Sequence, residues 1–372
     1  MKINVDQRAL ADATRWASRY IADKPTVPIL SGLLLNAHND VLTISGFDYD
    51  TSGRATLAAD TPSSGSIVVP GRLLADVTNT LPDSMVELAA DDDVLTVTAP
   101  GNQFTLPLLP AREYPALPKA PTATGTADAG EFAAAVKDVA TAAMASKDAV
   151  GQVEGMGGIR VRAQGERLEL AATDRYRIAV RTLPWQPNGP ADDTMLITAP
   201  TLADIAKTLS NGEVSIGFPE PGGGMAGFVT TDRTVAARTR VGGFPPVENV
   251  APKAEQATGY AEFDPAELAA AARRVAIVRE KNKLIRVTLR GDHAEIAASG
   301  DGPAASTSIE TTVDGVDDGF AIAFDPEYLT TLLAPTADRV RIWLYTPTRP
   351  VLIEPLDDTP YRAVLMPVRV RD

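Results

Sequence analysis

The chain has 372 residues, with 35 Lys and Arg against 48 Asp and Glu, a net charge of −13, two histidines and no cysteine. Disulfides and thiolate metal sites are thereby excluded, and neither a histidine-rich metal centre nor tight static binding of nucleic acid to a basic surface fits the composition. A hydrophobic content of 44%, with no apolar run near the ~20 residues of a membrane span, predicts a soluble globular protein. The start, Met1 to Val5, reads as a strand without a signal-peptide pattern, and the lack of cysteine suits the cytoplasm.

Residues 6–22 read as an amphipathic helix, with Leu10, Ala13, Ala17, Tyr20 and Ile21 on one face and Arg8, Arg15 and Arg19 on the other. A Pro-rich loop carrying Lys24 follows. Strands are expected at 31–37, 41–46, 52–60 and 65–69, a short helix at 70–81, and strands near 85–89, 94–98 and 102–108. A second set opens with a helix at about 128–146, whose apolar stripe is Phe132, Val136, Val139 and Ala143. Strands near 157–163, 166–171 and 177–183, a Pro/Asp/Gly-rich loop from Trp185 to Asp193, and a strand at 195–198 come next. A helix at 200–210 and strands at 213–218, 225–231 and 234–240 complete that set. The third opens at Asp264, a candidate N-cap, with Pro265 in the first turn. Its helix runs to about Arg279, with Arg273 and Arg274 off the apolar stripe, and its last strands fall at 339–345, 350–356 and 361–365.

Two markers recur at one period. A strand runs into a polar turn at Asp48, Asp174 and Asp301, and a strand ends at a proline that opens a short helix at Pro70, Pro200 and Pro326. Both recur roughly 126 residues apart, which makes the chain a threefold internal repeat of about eight strands and two helices per copy. The first helix of each copy carries Lys or Arg away from its stripe, so three repeats could line one face with these charges.

No phosphate loop, nucleophile elbow or zinc-helix motif is present, and the glycine run 222–224 has no lysine after it. The acidic groups at 91–93, 192–193, 317–318 and 357–358 read as turn residues. Asp48, Asp174 and Asp301 would lie a whole repeat apart and cannot converge on one catalytic centre. The sequence shows no active site.

The segments Lys24 to Leu30, Val69 to Leu74, Phe104 to Pro107 with Tyr114 to Pro118, Ala172 to Arg177, Gly243 to Pro246 and Met366 to Arg369 resemble, in order and spacing, the bacterial DNA polymerase III sliding clamp (β subunit), with an actinobacterial flavour. The likeness covers essentially the whole chain. It implies an α+β fold of three repeated clamp domains, at 1–121, 122–254 and 255–372, each with two helices packed on antiparallel sheets. It further implies a head-to-tail homodimer closing a ring around duplex DNA, without enzymatic activity, cofactor, metal or membrane. Partners would be the polymerase III α subunit, the clamp loader, and other polymerases and repair proteins that dock short peptides.

Carried over by motif, the peptide pocket would comprise Met156, Thr173, Arg175, Arg177, Ile178, Pro245, Val250, Val364, Met366, Pro367, Val368 and Arg369. Met156 stands where a leucine is common, a volume-conserving exchange. The DNA-facing set would be Lys24, Arg8, Arg15, Arg19, Arg72, Lys137, Lys207, Arg273 and Arg274. Phe104, Ile277 and Val278 would meet across the dimer seam. Two other readings remain beside it: a peptide-binding scaffold that never encircles DNA, and a specialised clamp copy.

Overall fold

The computed structural model describes residues 1–22, 25–144, 155–190, 192–209, 211–278, 284–299 and 303–369. Lys24, Arg279 and Asp301 lie outside these residues. The first repeat runs β1 (Lys2–Asp6), α1 (Gln7–Ala17), β2 (Gly32–His38), β3 (Val41–Phe47), β4 (Thr51–Ala58), β5 (Asp60–Ser63) and β6 (Gly65–Pro70). It ends with α2 (Gly71–Thr80), β7 (Met85–Ala90), β8 (Val94–Ala99) and β9 (Asn102–Pro107).

The second repeats this order with β10 (Gly125–Asp128), α3 (Ala129–Ala140), β11 (Gly158–Gln164), β12 (Arg167–Thr173), β13 (Arg177–Pro184), β14 (Gln186–Pro187) and β15 (Asp192–Thr198). Then come α4 (Ala199–Thr208), β16 (Glu213–Gly217), β17 (Met225–Val229) and β18 (Arg233–Arg238), with a one-turn helix, α5 (Val247–Val250), before the next repeat. The third is β19 (Gly259–Phe263), α6 (Pro265–Val275), β20 (Ile285–Arg290), β21 (His293–Ser299), β22 (Ala304–Glu310), β23 (Thr312–Asp314) and β24 (Ala321–Phe324). It closes with α7 (Pro326–Leu333), β25 (Val340–Leu344), β26 (Val351–Pro355) and β27 (Tyr361–Leu365).

Pairings repeat as strictly as the order. The first strand of each copy pairs with the fifth and the seventh, as in β1 with β5 and β7, β10 with β14 and β16, and β19 with β23 and β25. Each copy thus has nine strands among the described residues, one more than the sequence suggests. The expected strand at 52–60 breaks at Ala59 into β4 and β5. The expected loop from Trp185 to Asp193 contains β14, and Asp192 and Asp193 begin β15 rather than a turn. These extra strands are short, polar or proline-bearing, and exist only because the first strand offers an edge.

The helices end sooner than the apolar stripes suggest. After Ala17, Ser18–Tyr20 tightens to a 3₁₀ turn, Ala142 and Ala143 donate to carbonyls three residues back beyond α3, and Ala276–Val278 is a 3₁₀ turn beyond α6. Such i→i+3 bonds satisfy the orphan carbonyls of a helix end that has no glycine cap. The starts agree with the sequence: Asp264 accepts from the Ala266 and Glu267 amides, and Asp325 does the same ahead of Pro326.

Two compact units result. One holds Met1–Gly130, Gln186–Ala191 and Lys207–Thr239, the other Glu131–Trp185, Asp192–Ala206 and Arg240–Asp372. In the first, a nine-stranded sheet ordered β14-β10-β16-β17-β18-β4-β3-β2-β6 accompanies a five-stranded sheet, β5-β1-β7-β8-β9. α1 lies against α2, β3 and β4, burying Leu10, Leu42, Ile44 and Leu74. Gly53 is required there, since a Cβ would stand 2.1 Å from the Tyr20 ring. In the second unit a nine-stranded sheet ordered β15-β11-β12-β13-β27-β26-β25-β19-β23 accompanies a four-stranded one, β22-β21-β20-β24.

Neighbouring repeats are therefore joined by sheet. The fourth strand of one copy pairs antiparallel with the last strand of the next: β4 with β18, and β13 with β27. By that rule the fourth strand of the third copy, β22, and the last strand of the first, β9, have no partner on their joint side among the described residues, and each is a sheet edge.

Candidate protein-docking site

The joint of β13 and β27 carries the richest chemistry. Its centre is the turn between β12 and β13, where Asp174 Oδ1 accepts the Tyr176 and Arg177 amides at 3.1 and 3.0 Å. Asp174 Oδ2 accepts from Arg177 Nε at 2.9 Å, and Arg175 takes a left-handed backbone at φ 80°. Asp48 makes the same turn in the first repeat, accepting the Asp50 and Thr51 amides. The turn reading holds for Asp48 and Asp174, the two of the three that lie within the described residues. Thr173 is buried, with its hydroxyl donated to the Arg177 carbonyl at 2.8 Å.

Arg177 then projects to α7. Its guanidinium donates to Thr331 Oγ1 and lies 4.3 Å from the centroid of the Tyr328 ring, on which Tyr176 also stacks. Burial first, then the Asp174 charge, pushes the Tyr328 hydroxyl above its ordinary pKa. After β27 the Met366 amide donates to the Tyr176 carbonyl and the Val368 amide to Ala323, both at 2.8 Å. Met366 and Val368 keep their side chains exposed, as does Arg369.

Beside this turn lies a cavity of about 550 Å³. Ile178 and Val180 of β13, Leu352 and Val364 form its floor and Val247 its roof, with Ala251 and Ala254 packed on the same apolar cluster. Glu169, Glu248, Glu354, Lys253 and Arg362 stand at its rim.

Of the residues singled out by sequence, Ile178 and Val364 line this cavity. Thr173, Arg175, Arg177 and Met366 to Arg369 cluster at the adjacent turn and tail. Pro245 opens the roof segment. Met156 is buried but does not line the cavity, and Val250 is 61% exposed. Val247 takes the place expected for Val250, because α5 is a single turn whose first residue faces the sheet and whose last leads away into Ala251. Sequence reasoning missed Tyr328, Thr331 and Arg160, whose partners are remote in the chain.

Of the basic set, Arg8, Arg15 and Arg19 are exposed, as are Arg72, Lys137, Lys207, Arg273 and Arg274. Arg8 pairs with Asp83 and Arg15 with Asn79, which trims the charge that α1 presents. Phe104 lies half-buried on the edge strand β9, and beyond α6 Ile277 is 81% exposed with Val278 half-buried beside it. No described helix is long and apolar enough to cross a membrane.

The fold is similar over the full length of both chains to the crystal structure of the DNA polymerase III subunit beta from Pseudomonas aeruginosa, with a TM-score of 0.91 at 23% identity. The DNA polymerase sliding clamp from Bacillus subtilis gives 0.90 at 20%, again over all of both chains. At such identities the likeness shows the fold, that of a DNA clamp. Family models for the DNA polymerase III beta subunit match in series: the N-terminal domain at residues 1–118, the central domain at 127–245 and the C-terminal domain at 249–369. The beta sliding clamp of Streptomyces coelicolor is 35% identical over 100% of both chains. The beta sliding clamp homolog GriR of Streptomyces muensis is 37% identical over 88% of this chain and 87% of its own.

The chain belongs to the DNA polymerase III beta-subunit family, the bacterial sliding clamps, which are non-catalytic processivity factors.

Proposed function

We propose that this chain is a sliding clamp that closes head to tail with a second copy around duplex DNA and tethers the replicative polymerase, the clamp loader and other replication and repair proteins. The repeat boundaries are 1–121, 122–254 and 255–372. The observation that carries the reading is the joint rule: two of three equivalent joints are filled within the chain, and β9 and β22 are the two edges left over. Ser52 and Ile178, each paired with the last residue of the preceding strand, meet Ala236 and Val364 across their joints. Ala304 holds that position in the third copy, and Leu106 is the buried residue of β9. Pairing them sets Ser306 opposite Phe104, with Ile277 and Val278 closing the seam from beyond α6.

A topological link needs no tight contact, so a chain of net charge −13 can hold DNA loosely through Arg8, Arg15, Arg19, Lys24, Arg72, Lys137, Lys207, Arg273 and Arg274. Partners dock apolar peptide anchors in the cavity over Ile178 and Val364, flanked by Thr173, Arg175, Arg177 and the Met366–Arg369 tail, with Met156, Pro245 and Val250 behind and beside it. The test is retention on nicked circular DNA after loading by a clamp loader, then linearisation of the circle. Loss on linearisation supports the ring, and equal retention on both forms sinks it.

The likeness to the GriR homologue supports a second reading, a specialised copy of the clamp. Failure to sustain replication when the resident clamp is depleted would favour it.

A further inference from the structure

The segment 243–254 roofs the docking cavity. Val247 enters the apolar cluster, Phe244, Ala251 and Ala254 pack against it, and the Tyr345 hydroxyl donates to the Lys253 carbonyl at 2.8 Å. A charged attachment is made by Arg160 of β11, whose side chain is 9% exposed. Its Nη2 donates to Glu169 Oε1 of β12 at 2.6 Å and to Glu248 Oε1 of α5 at 2.5 Å. Its guanidinium also lies 5.0 Å from the centroid of the Phe244 ring. A guanidinium withdrawn from water is costly unless its partners are in place. Here one carboxylate comes from the sheet and the other from the roof, both on Nη2, while the buried Nε has no hydrogen-bond partner among the described residues, so unseating the roof would strip this ion of one of its two carboxylates. Arg160 does not line the cavity, so its effect on a ligand passes through the two rim carboxylates it holds, Glu248 of α5 and Glu169 of β12.

We propose that Arg160 is a positioning residue of the docking groove: paired with Glu248 and set against Phe244, it fixes α5 at the height above β13 and β27 that admits an apolar peptide anchor. The inference rests on the peptide-docking reading. Without the guanidinium, Glu248 loses its hydrogen-bonded counter-ion and keeps only the charge of Arg162, and Val247 is left as the chief contact between α5 and the sheet. The groove would then persist but fluctuate, and a bound peptide would leave sooner. Pre-organisation of this kind acts mainly on dissociation.

The test uses the full-length protein and a short fluorescein-labelled peptide carrying adjacent Leu and Phe anchors. Arg160→Met and Glu248→Gln should each weaken binding about tenfold, mainly through faster dissociation, and the double variant should be little worse than either. Arg160→Lys should recover part of the loss. Amide exchange should rise across 244–251 while β13 and β27 stay protected. Unchanged affinity, additive losses, or lost protection in β13 and β27 would each overturn the assignment, the last by making Arg160 a fold residue. If the unmodified protein binds no peptide, the docking reading itself fails. The exchange data then decide alone: a rise confined to 244–251 supports the latch, and its absence overturns it.

Discussion

The two internal joints share a backbone and differ in what they can hold. At the first, Ser52 faces Ala236 across β4 and β18; at the second, Ile178 faces Val364 across β13 and β27. Two residues along the fourth strand, Arg54 stands where the second joint has Val180. The cavity at the first joint, under Leu117 to Ala120, is about 360 Å³ and counts Arg54 and Lys119 in its lining. The one at the second is about 550 Å³, floored by aliphatic side chains. Each aliphatic side chain buried against a ligand is worth about 1.5–3 kcal/mol. The exchange of Ile and two Val for Ser, Arg and Ala therefore removes most of the attraction for an apolar peptide. Repetition made both grooves, and side-chain substitution made one of them adhesive.

The largest effect is expected at the joint that the chain leaves open. Ile277→Asp or Phe104→Asp places an unpaired charge in the proposed seam and should convert dimer to monomer, read as a halved mass by light scattering. Retention of the dimer mass refutes the seam. At the second joint, Ile178→Ser should weaken peptide binding by roughly 30-fold or more, about 2 kcal/mol, with the dimer intact. Equal affinity would show that the floor is not the contact. Removing Met366 to Asp372 should likewise abolish partner binding without disturbing the dimer, as titration calorimetry with the peptide and sedimentation would show. The converse change at the first joint, Ser52→Ile with Arg54→Val, should create weak peptide binding where none is expected. Its failure would show that the roof contributes as much as the floor.

The smallest effect concerns pH. Burial raises the Glu248 carboxyl, but the Arg160 hydrogen bond, a backbone hydrogen bond and the charges of Arg160 and Arg162 together outweigh it and set the group below its ordinary value of 4.5. A depressed carboxylate contributes fully above its unfolded pKa and loses that contribution as pH falls through the folded one. Peptide affinity should thus be flat from neutral pH down to about 5, and the Glu248→Gln variant should lack the wild-type decline below 4.5. A decline that persists in the variant would assign the titration to another group.

The periodic parts of this architecture were legible because they are local. Asx turns at Asp48 and Asp174 and proline-led helices are written in a few adjacent residues, and their recurrence exposed the repeat. β10, β14, β19 and β23 were not, since a stretch such as Gln186–Pro187 has no strand preference of its own and pairs only where a neighbour supplies an edge. The site divided in the same way. Ile178 and Val364 alternate as apolar strand residues do, whereas Arg160 looks like an ordinary solvent-facing position until Glu248, 88 residues later, folds back over it. Val250 came from the family motif alone, and one helical turn has too little periodicity for the sequence to show that Val247 is the valine that faces inward.

The open edges β9 and β22 also set how such a ring could be parted. Two copies contain six joints, four of them bridged by the chain and two not. Separating one seam leaves its edges tethered through the other, at an effective concentration fixed by the molecule rather than by its abundance. Reclosure is then a first-order event that dilution does not slow, while exchange of subunits requires both seams to fail together. A clamp so divided can be opened once per loading event and still remain one particle.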